Sequence, residues 1–167
     1  SRGLGDVYKR QLTQMTKTLL EMSALQSVPR NDRIQLAPMM EEILTDLAPL
    51  AEKNGITLTC DGDGAMTGSD GLLYRLLFNL TENAIKYNHP GGTVRLTVQE
   101  EAARLVIRVS DTGCGIPESY RESIFQPFFR VDKSRSREYG GVGLGLSLVW
   151  AIAELHGGSV CVEDSSE

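Results

Sequence analysis

Two asparagines and a lysine recur at the spacing of a single helix face. Asn79, Asn83 and Lys86 stand at positions i, i+4 and i+7, and an α-helix turns by about 100° per residue, so the three share one side of it. Asparagine oxygens can ligate a hard cation without adding charge, and lysine can contact a phosphate oxygen. The alternative is the solvated face of an amphipathic helix, although that role favours Glu, Lys or Gln over two asparagines.

A second candidate is the carboxylate of Asp111, which directly follows a predicted strand and precedes Gly113 and Gly115. A carboxylate accepts a hydrogen bond from the amine of adenine but opposes the carbonyl oxygen of guanine, so it would select ATP over GTP. The two glycines would let the backbone approach a flat base. The alternative is a glycine-rich turn with a solvated aspartate, and both interpretations stay open at this level.

The third motif is the glycine-rich run at residues 140–146, which ends where a helix is predicted to begin. Helix N-termini present unpaired N–H groups to anions. The run lacks the Walker spacing, and no strand leads straight into it as in a dinucleotide-binding turn. It could be a simple hinge. The loop before it carries four cations, which are either a solvated charge run or a lid over a triphosphate: Arg130, Lys133, Arg135 and Arg137.

The periodicity of the chain predicts the elements that would position these residues. Helical patterns cover residues 39–53, 69–88 and 144–156, with Ser69 as an N-cap and Gly55 as a C-cap. Alternating patterns predict strands at residues 33–36, 56–60, 93–99, 104–110 and 159–163. A turn is expected at residues 61–64, and mostly loop at 117–145. Together they predict an α+β two-layer sandwich with helices on one face.

The N-terminal residues follow a different pattern. Residues 1–11 show neither helical nor strand periodicity, and we predict a non-native or disordered terminus there. Apolar residues then recur at coiled-coil spacing and predict a helix that packs on a partner helix or on its own domain: Leu12, Met15, Leu19 and Met22. The helix should end near Val28, because Pro29 follows.

Composition excludes several classes of protein. The chain has 167 residues, a net charge of -5 and 41% hydrophobic residues, which suits one globular domain and disfavours nucleic-acid partners that need a positive surface. No apolar run reaches the roughly 20 residues of a membrane span. Its three cysteines form no CxxC pair, so disulfide and zinc frameworks are not indicated, and a cytoplasmic setting is expected.

The order and spacing of the motifs resemble the catalytic, ATP-binding domain of bacterial sensor histidine kinases, which belong to the Bergerat-fold ATPase superfamily. Residues 79–87 are similar to its N box, residues 111–116 to its first glycine box and residues 141–146 to its second glycine box. Phe125, Phe128 and Phe129 match its F box. The resemblance covers residues 12–163 and implies a two-layer sandwich with a mixed, mostly antiparallel sheet, preceded by a helix of the dimerisation hairpin.

The resemblance also implies a role for each matching residue, with ATP and Mg²⁺ as cofactors. Asn83 would bind the metal, and Asn79 would contact phosphate or the waters of the ion. Lys86 and Arg130 would contact phosphates, Tyr87 would flank the nucleotide, and Asp111 would hold the adenine amine. Gly113, Gly115 and Ile116 would line the base pocket, and the lid and phosphate cradle would comprise Gly141, Gly143, Leu144, Gly145 and Leu146. Glu82 is not expected to act as a general base.

A histidine kinase needs a phosphate-accepting histidine, and neither His89 nor His156 suits that role, so both are expected to be structural. We therefore interpret residues 12–29 as the end of a dimerisation helix and residues 30–167 as a catalytic domain that lacks one further strand. The resemblance implies that the acceptor helix and a response regulator partner lie outside this chain. It also implies a homodimeric parent protein, which is either anchored in a membrane or not. On its own, the chain should not autophosphorylate.

Two alternatives remain within and beyond this superfamily. An anti-sigma serine kinase or a gyrase-like ATPase would share the motifs, but the hydrolytic members typically carry a glutamate base where this chain has Asn79. A degenerate interaction module would use the fold without turnover.

Overall fold

Four α-helices and five β-strands make up the part of the chain that the computed structural model describes, residues 2–113, 115–126 and 144–163. The helices are α1 (Arg2–Leu25), α2 (Leu36–Asn54), α3 (Asp70–Lys86) and α4 (Leu144–Leu155). The strands are β1 (Asp32–Gln35), β2 (Thr57–Gly62), β3 (Ala65–Gly68), β4 (Thr93–Glu101) and β5 (Arg104–Asp111). Two short 3₁₀ turns span Glu118–Tyr120 and Ser123–Phe125.

The strands form two sheets. In the larger sheet, β4 lies in the centre, parallel to β2 and antiparallel to β5. In the smaller sheet, β1 and β3 pair antiparallel to one another. Along β4, the buried residues Val94, Leu96 and Val98 alternate with more exposed ones, as in a sheet covered on one face. The predicted α+β architecture with a mixed sheet is confirmed.

Helices α2 and α3 cover that buried face and form the main core with it. Ile43 from α2, Leu77 and Ile85 from α3, and Leu96 from β4 are all fully buried in one cluster. Removing these side chains from water is the main force that holds the two layers together. The apolar stripe of α3 therefore fixes which of its faces can point away from the core.

The caps of α2 and α3 form as the sequence predicts. Oγ of Ser69 accepts a hydrogen bond from the backbone N of Leu72 at 3.3 Å, which satisfies one unpaired donor at the start of α3. Gly55 ends α2 with a φ of 68°, a left-handed conformation that favours glycine. These local signals fix where α3 begins, and with it the positions of the residues on its polar face.

Residues 2–11, for which the sequence predicts a non-native or disordered terminus, form the first part of α1. Once a helix has formed, each further residue that is fixed gains one hydrogen bond, whereas nucleation fixes three residues for one bond. No proline occurs before Pro29 to interrupt this extension. Packing does not explain the extension, since Leu4 and Tyr8 are 76% and 65% exposed. No described helix has the length and apolarity that a membrane span requires.

Two strand predictions also differ from the structure. Residues 159–163 form no strand, although Val160 and Val162 pack on the apolar cluster of Phe125 and Leu146. Glu163 also approaches Arg108 of β5 at 3.7 Å. Their apolar alternation reflects this packing without a backbone ladder. Conversely, β3 was not predicted, and β2 extends through Gly62 into the expected turn. The short β3 exists because it pairs with β1, which lies about thirty positions earlier.

Candidate functional site

The polar face of α3 carries three of the predicted site residues. Asn79 and Asn83 are half-buried, and Lys86 is exposed at the end of the helix. Within the described residues, neither asparagine side chain makes a hydrogen bond, so both amide oxygens are available to a ligand. Nζ of Lys86 lies 3.2 Å from Oε1 of Glu82, an exposed i,i+4 pair that a phosphate could compete with.

Tyr87 ends α3 beside this face. Its backbone N donates to the carbonyl of Asn83 at 3.0 Å, which keeps the last turn of the helix intact. Partial burial, together with the nearby carboxylate of Glu82, raises the pKa of Tyr87 above its ordinary value. The side chain therefore stays a neutral phenol that can present an apolar ring or a hydroxyl donor.

The carboxylate of Asp111 stands at the end of β5, where Asp111 pairs with Val94 of β4. One of its oxygens, Oδ1, accepts a hydrogen bond from the backbone N of Gly113 at 2.8 Å. Among the described residues, the other carboxylate oxygen has no partner. Asp111 is exposed, so a hydrogen-bond donor on a ligand can reach it from solvent.

The turn after β5 packs closely against the end of α3. A Cβ atom built on Gly113 would lie 2.7 Å from the carbonyl oxygen of Tyr87 and 3.3 Å from Cα of Asn88. No side chain fits there, so the backbone contact itself requires glycine at this position. The structure thus brings the first glycine box beside the C-terminal end of the N box.

An asparagine that sequence reasoning missed joins these segments. Nδ2 of Asn88 donates to the carbonyl of Thr93, at the start of β4, at 3.0 Å. The backbone N of Thr93 in turn donates to Oγ1 of Thr112 at 2.9 Å. The sequence from Asn88 to Gly92 contains a proline and two glycines and therefore indicates a turn. An asparagine in a turn often forms hydrogen bonds with the nearby backbone, which was the available signal.

An apolar cluster joins residues of all four predicted motifs. Leu80 from the N box packs with Ile116 from the first glycine box. The same cluster contains Phe125 from the F box and Leu146 from the second glycine box. Leu146 and Phe125 are 6% and 8% exposed. Leu80 follows Asn79 directly, so this cluster lies next to the polar face of α3. Four segments that are distant in sequence therefore meet at one place.

The remaining predicted residues are only partly described. Gly115 is exposed with a φ of 71°, which favours glycine, and Ile116 is half-buried. Leu144 and Gly145 form the start of α4. Several predicted residues lie outside the described part of the chain: Phe128, Phe129, Arg130, Lys133, Arg135, Arg137, Gly141 and Gly143.

His156 has a structural position. Its Nε2 accepts a hydrogen bond from the backbone N of Ser69 at 3.0 Å, and its Nδ1 lies 2.7 Å from the carbonyl of Ile152. A backbone N–H can only donate, so Nε2 is the acceptor and Nδ1 carries the proton. The ring thereby joins the end of α4 to the start of α3. His89 is exposed in the turn before β4.

The donor set suits a metal that arrives with its own phosphate ligands. No group of three or more His, Cys, Asp or Glu side chains capable of holding a metal occurs in the described residues. Mg²⁺ is commonly bound through one or two protein oxygens plus waters and substrate phosphates. The amide oxygens of Asn79 and Asn83, which accept no hydrogen bond from the described residues, fit that manner of binding, which needs no dedicated metal cage.

Comparison with known proteins identifies a matching family. Residues 68–167 match the family model HATPase_c, described as histidine kinase-, DNA gyrase B- and HSP90-like ATPase. The sensor-like histidine kinase SenX3 of Mycolicibacterium smegmatis is 35% identical over 154 residues, which cover 89% of this chain and 40% of SenX3. The sensor histidine kinase RppB of Synechocystis is 35% identical over 162 residues, 93% of this chain and 36% of RppB. This chain therefore spans about two fifths of the length of these relatives.

Solved structures show the same fold. The mycobacterial sensor histidine kinase MprB superposes with a TM-score of 0.69 at 25% identity, covering 80% of this chain and 85% of MprB. The histidine kinase ThkA, in a crystal structure with the response regulator TrrA, superposes with a TM-score of 0.70 at 20% identity, covering 96% of this chain and 46% of ThkA. At that identity the second comparison supports the fold alone.

Proposed function

Because the chain belongs to the family of histidine kinase-, DNA gyrase B- and HSP90-like ATPases, we propose that it is the ATP-binding catalytic part of a two-component sensor histidine kinase. The observation that supports this most is the contact between the turn after β5 and the end of α3. The Cβ position of Gly113 lies 2.7 Å from the carbonyl oxygen of Tyr87, so the carboxylate of Asp111 stands beside the C-terminal end of the polar face of α3.

In this proposal the adenine base lies against the turn after β5. Asp111 accepts a hydrogen bond from the exocyclic amine through the oxygen that Gly113 leaves free. Guanine presents a carbonyl oxygen at that point, which the carboxylate repels. Gly113, Gly115 and Ile116 line the pocket and Tyr87 flanks the nucleotide. This part of the site selects the base.

The phosphates lie toward Asn83 and Asn79. The amide oxygen of Asn83 would hold Mg²⁺, and Asn79 would contact phosphate or the waters of the ion. When bound, the metal neutralises phosphate charge. Lys86 and Arg130 contact phosphate oxygens and add further positive charge. The lid and phosphate cradle comprise Gly141, Gly143, Leu144, Gly145 and Leu146. The protein's part in phosphoryl transfer is thus positioning and charge neutralisation.

The acceptor in this proposal is a histidine on a dimerisation helix that this chain does not contain. Its ring nitrogen attacks the γ-phosphorus, the bond to the bridging oxygen breaks, and ADP leaves. Asn79 carries an amide, which cannot take a proton from water as a glutamate base would, so hydrolysis should be slow. The parent would be a homodimer whose phosphohistidine serves a response regulator, with α1 from residue 12 onward contributing to the dimerisation hairpin.

Calorimetric titration of the chain with ATP tests nucleotide binding. We expect binding in MgCl₂ that weakens at least tenfold in EDTA, and about tenfold or greater losses in Asn83→Ala and Asp111→Asn, since each removes a hydrogen bond or ligand to charge. Glu52→Gln, an exposed change on α2, is the control. Equal ATP affinity in the wild type and both site variants would contradict the site assignment.

Radiolabelled ATP tests the reaction. Incubated with [γ-³²P]ATP and a separate domain that carries the acceptor histidine, the chain should produce acid-labile label on that domain and none on itself. Asn83→Ala should abolish the label. Rapid steady-state phosphate release without an acceptor would instead favour a hydrolytic ATPase, and failure to bind any adenine nucleotide would favour an interaction module.

A further inference from the structure

The side chains of Asn88 and Thr112 join the three segments that meet at Asp111. Thr93, at the start of β4, accepts two hydrogen bonds through its carbonyl: one from Nδ2 of Asn88 at 3.0 Å and one from the backbone N of Thr112 at 3.2 Å. Its own backbone N donates to Oγ1 of Thr112 at 2.9 Å. The end of α3, the start of β4 and the end of β5 are therefore tied together at a single residue.

The donors and acceptors of this network permit one orientation of the Asn88 amide. Oδ1 of Asn88 accepts from the backbone N of His89 at 2.9 Å and lies 3.4 Å from Oγ1 of Thr112. Because that hydroxyl already accepts from Thr93, its hydrogen is available to Oδ1. A flipped amide would set its NH₂ group against the N–H of His89 and its oxygen against the carbonyl of Thr93. The amide thus has a single satisfied position.

Close packing leaves the network little room to move. A Cβ on Gly92 would lie 2.2 Å from Oδ1 of Asn88, and a Cβ on Gly113 would lie 2.9 Å from Oδ1 of Asp111. Thr112, which directly follows Asp111, joins the turn to β4 through its hydroxyl and its backbone N, while the carbonyl of Tyr87 bounds the turn on the side of α3. These contacts limit where the Asp111 carboxylate can lie.

We propose that Asn88 and Thr112 are positioning residues that act through Asp111 to set the selectivity for adenine over guanine. This inference rests on the proposed function, in which Asp111 accepts the adenine amine. Hydrogen bonds weaken steeply when donor and acceptor are displaced or misaligned. The free oxygen of Asp111 can meet the amine only while the turn keeps its place. Loss of the network should therefore weaken ATP binding without affecting contacts to the phosphates.

Calorimetric titration of Thr112→Val and Thr112→Ser with ATP, ADP and GTP tests this role. Valine keeps the shape of threonine and removes the hydroxyl, whereas serine keeps the hydroxyl. We expect valine to weaken ATP and ADP about five- to tenfold, the effect of one or two lost hydrogen bonds. The affinity of the valine variant for GTP should stay within about twofold of the wild-type value, because guanine does not form the hydrogen bond to Asp111. Serine should restore the ATP-to-GTP ratio of the wild type.

Two further variants separate positioning from general stability. Asn88→Asp keeps the acceptor for His89 but loses the donor to Thr93, so it should lower the same ATP-to-GTP ratio. Thr59→Val, at an exposed position on β2, should leave the ratio unchanged. An unchanged ratio in Thr112→Val and Asn88→Asp, with the wild type preferring ATP, would overturn the inference and leave the proposed function intact. A wild type without preference for ATP would overturn the assignment of Asp111 itself, and the inference with it.

Discussion

Gly113 lies directly against the carbonyl oxygen of Tyr87, with its Cβ position only 2.7 Å from that atom. Tyr87 belongs to the end of α3 and Gly113 to the turn after β5, so this contact sets the distance between the polar face of α3 and the carboxylate of Asp111. A glycine is required here for the close approach and not for its φ, since Gly113 has no positive φ.

Gly113→Ala should therefore weaken ATP binding. The added methyl group would meet backbone atoms that cannot rotate away, so the turn must shift. An overpacking cost of about 1–3 kcal/mol on the bound state corresponds to a roughly 5- to 150-fold loss of affinity. Gly71→Ala is the matched control, because a Cβ at Gly71 has open space around it. Calorimetry should find an affinity within about twofold of wild type for that control. Equal affinities for both variants would contradict the role of this contact.

Gly68 and His156 should show coupled effects on stability. A Cβ on Gly68 would lie 2.4 Å from Cδ2 of His156, and two hydrogen bonds hold that ring in place. Gly68→Ala should therefore lower the free energy of unfolding by about 1–3 kcal/mol. In a protein that also carries His156→Ala the clash is absent, so Gly68→Ala should lower the free energy of unfolding by much less. Urea unfolding of the four proteins measures this coupling, and strictly additive effects would refute it.

The turn between β4 and β5 contains two alanines with positive φ, 48° at Ala102 and 65° at Ala103. Both values match the mirror-image two-residue turn that favours Asn-Gly, and alanine is strained in this region. Ala103→Gly should therefore raise the free energy of unfolding by about 0.5–1 kcal/mol. Glu42→Gly, at an exposed interior position of α2, should lower it by about 0.5–1 kcal/mol. Thermal unfolding should show midpoint temperatures that shift in opposite directions for the two variants. A lower midpoint for Ala103→Gly than for the wild type would contradict the turn geometry.

Cys60 should react slowly with alkylating agents. Burial, followed by the hydrogen bond to Glu41 and its charge, raises the pKa of the Cys60 thiol from 9.0 to about 11. At pH 8 iodoacetamide should modify the exposed Cys161 at least tenfold faster, since the thiolate is the nucleophile. Mass spectrometry of the separate peptides measures both rates, and Glu41→Gln should accelerate Cys60. Equal rates in the wild type would contradict the environment described.

The raised pKa of Cys60 predicts that the protein loses stability at alkaline pH. The folded state holds the Cys60 proton more tightly than the unfolded chain, so its contribution is fully present below about pH 9 and is lost as the pH rises toward 11. Cys60→Ser should flatten this part of the stability curve. An unchanged slope would contradict the shift.

The sequence predicted the elements whose signals are local. Helix α3 was predicted because Ser69 and the apolar stripe define its start and its buried face within a few residues. The hairpin of β4 and β5 was predicted because apolar residues alternate over residues 93–99 and 104–110. The N box and first glycine box could be recognised for the same reason, since each is a contiguous motif.

The missed features depend on contacts between distant residues. Strand β3 has only four residues and exists through its pairing with β1. The link from Asn88 to Thr93 and Thr112 requires three chain ends to meet, and no spacing within the sequence encodes that meeting. The helical residues 2–11 extend a helix whose apolar period begins only at Leu12. Residues 159–163 carry strand-like alternation but form no strand. Periodicity alone does not separate these cases.

The central claim is that the polar face of α3 and the turn after β5 bind one nucleotide. Titration of the isotope-labelled 18.3 kDa chain with Mg-ATP, followed by amide NMR signals, tests it most directly. We predict that signals of residues 79–88 and 111–116 shift along one saturation curve, while those of residues 4–20 in α1 do not change. Saturation of the two segments at different ATP concentrations, or a response from only one of them, would contradict the claim.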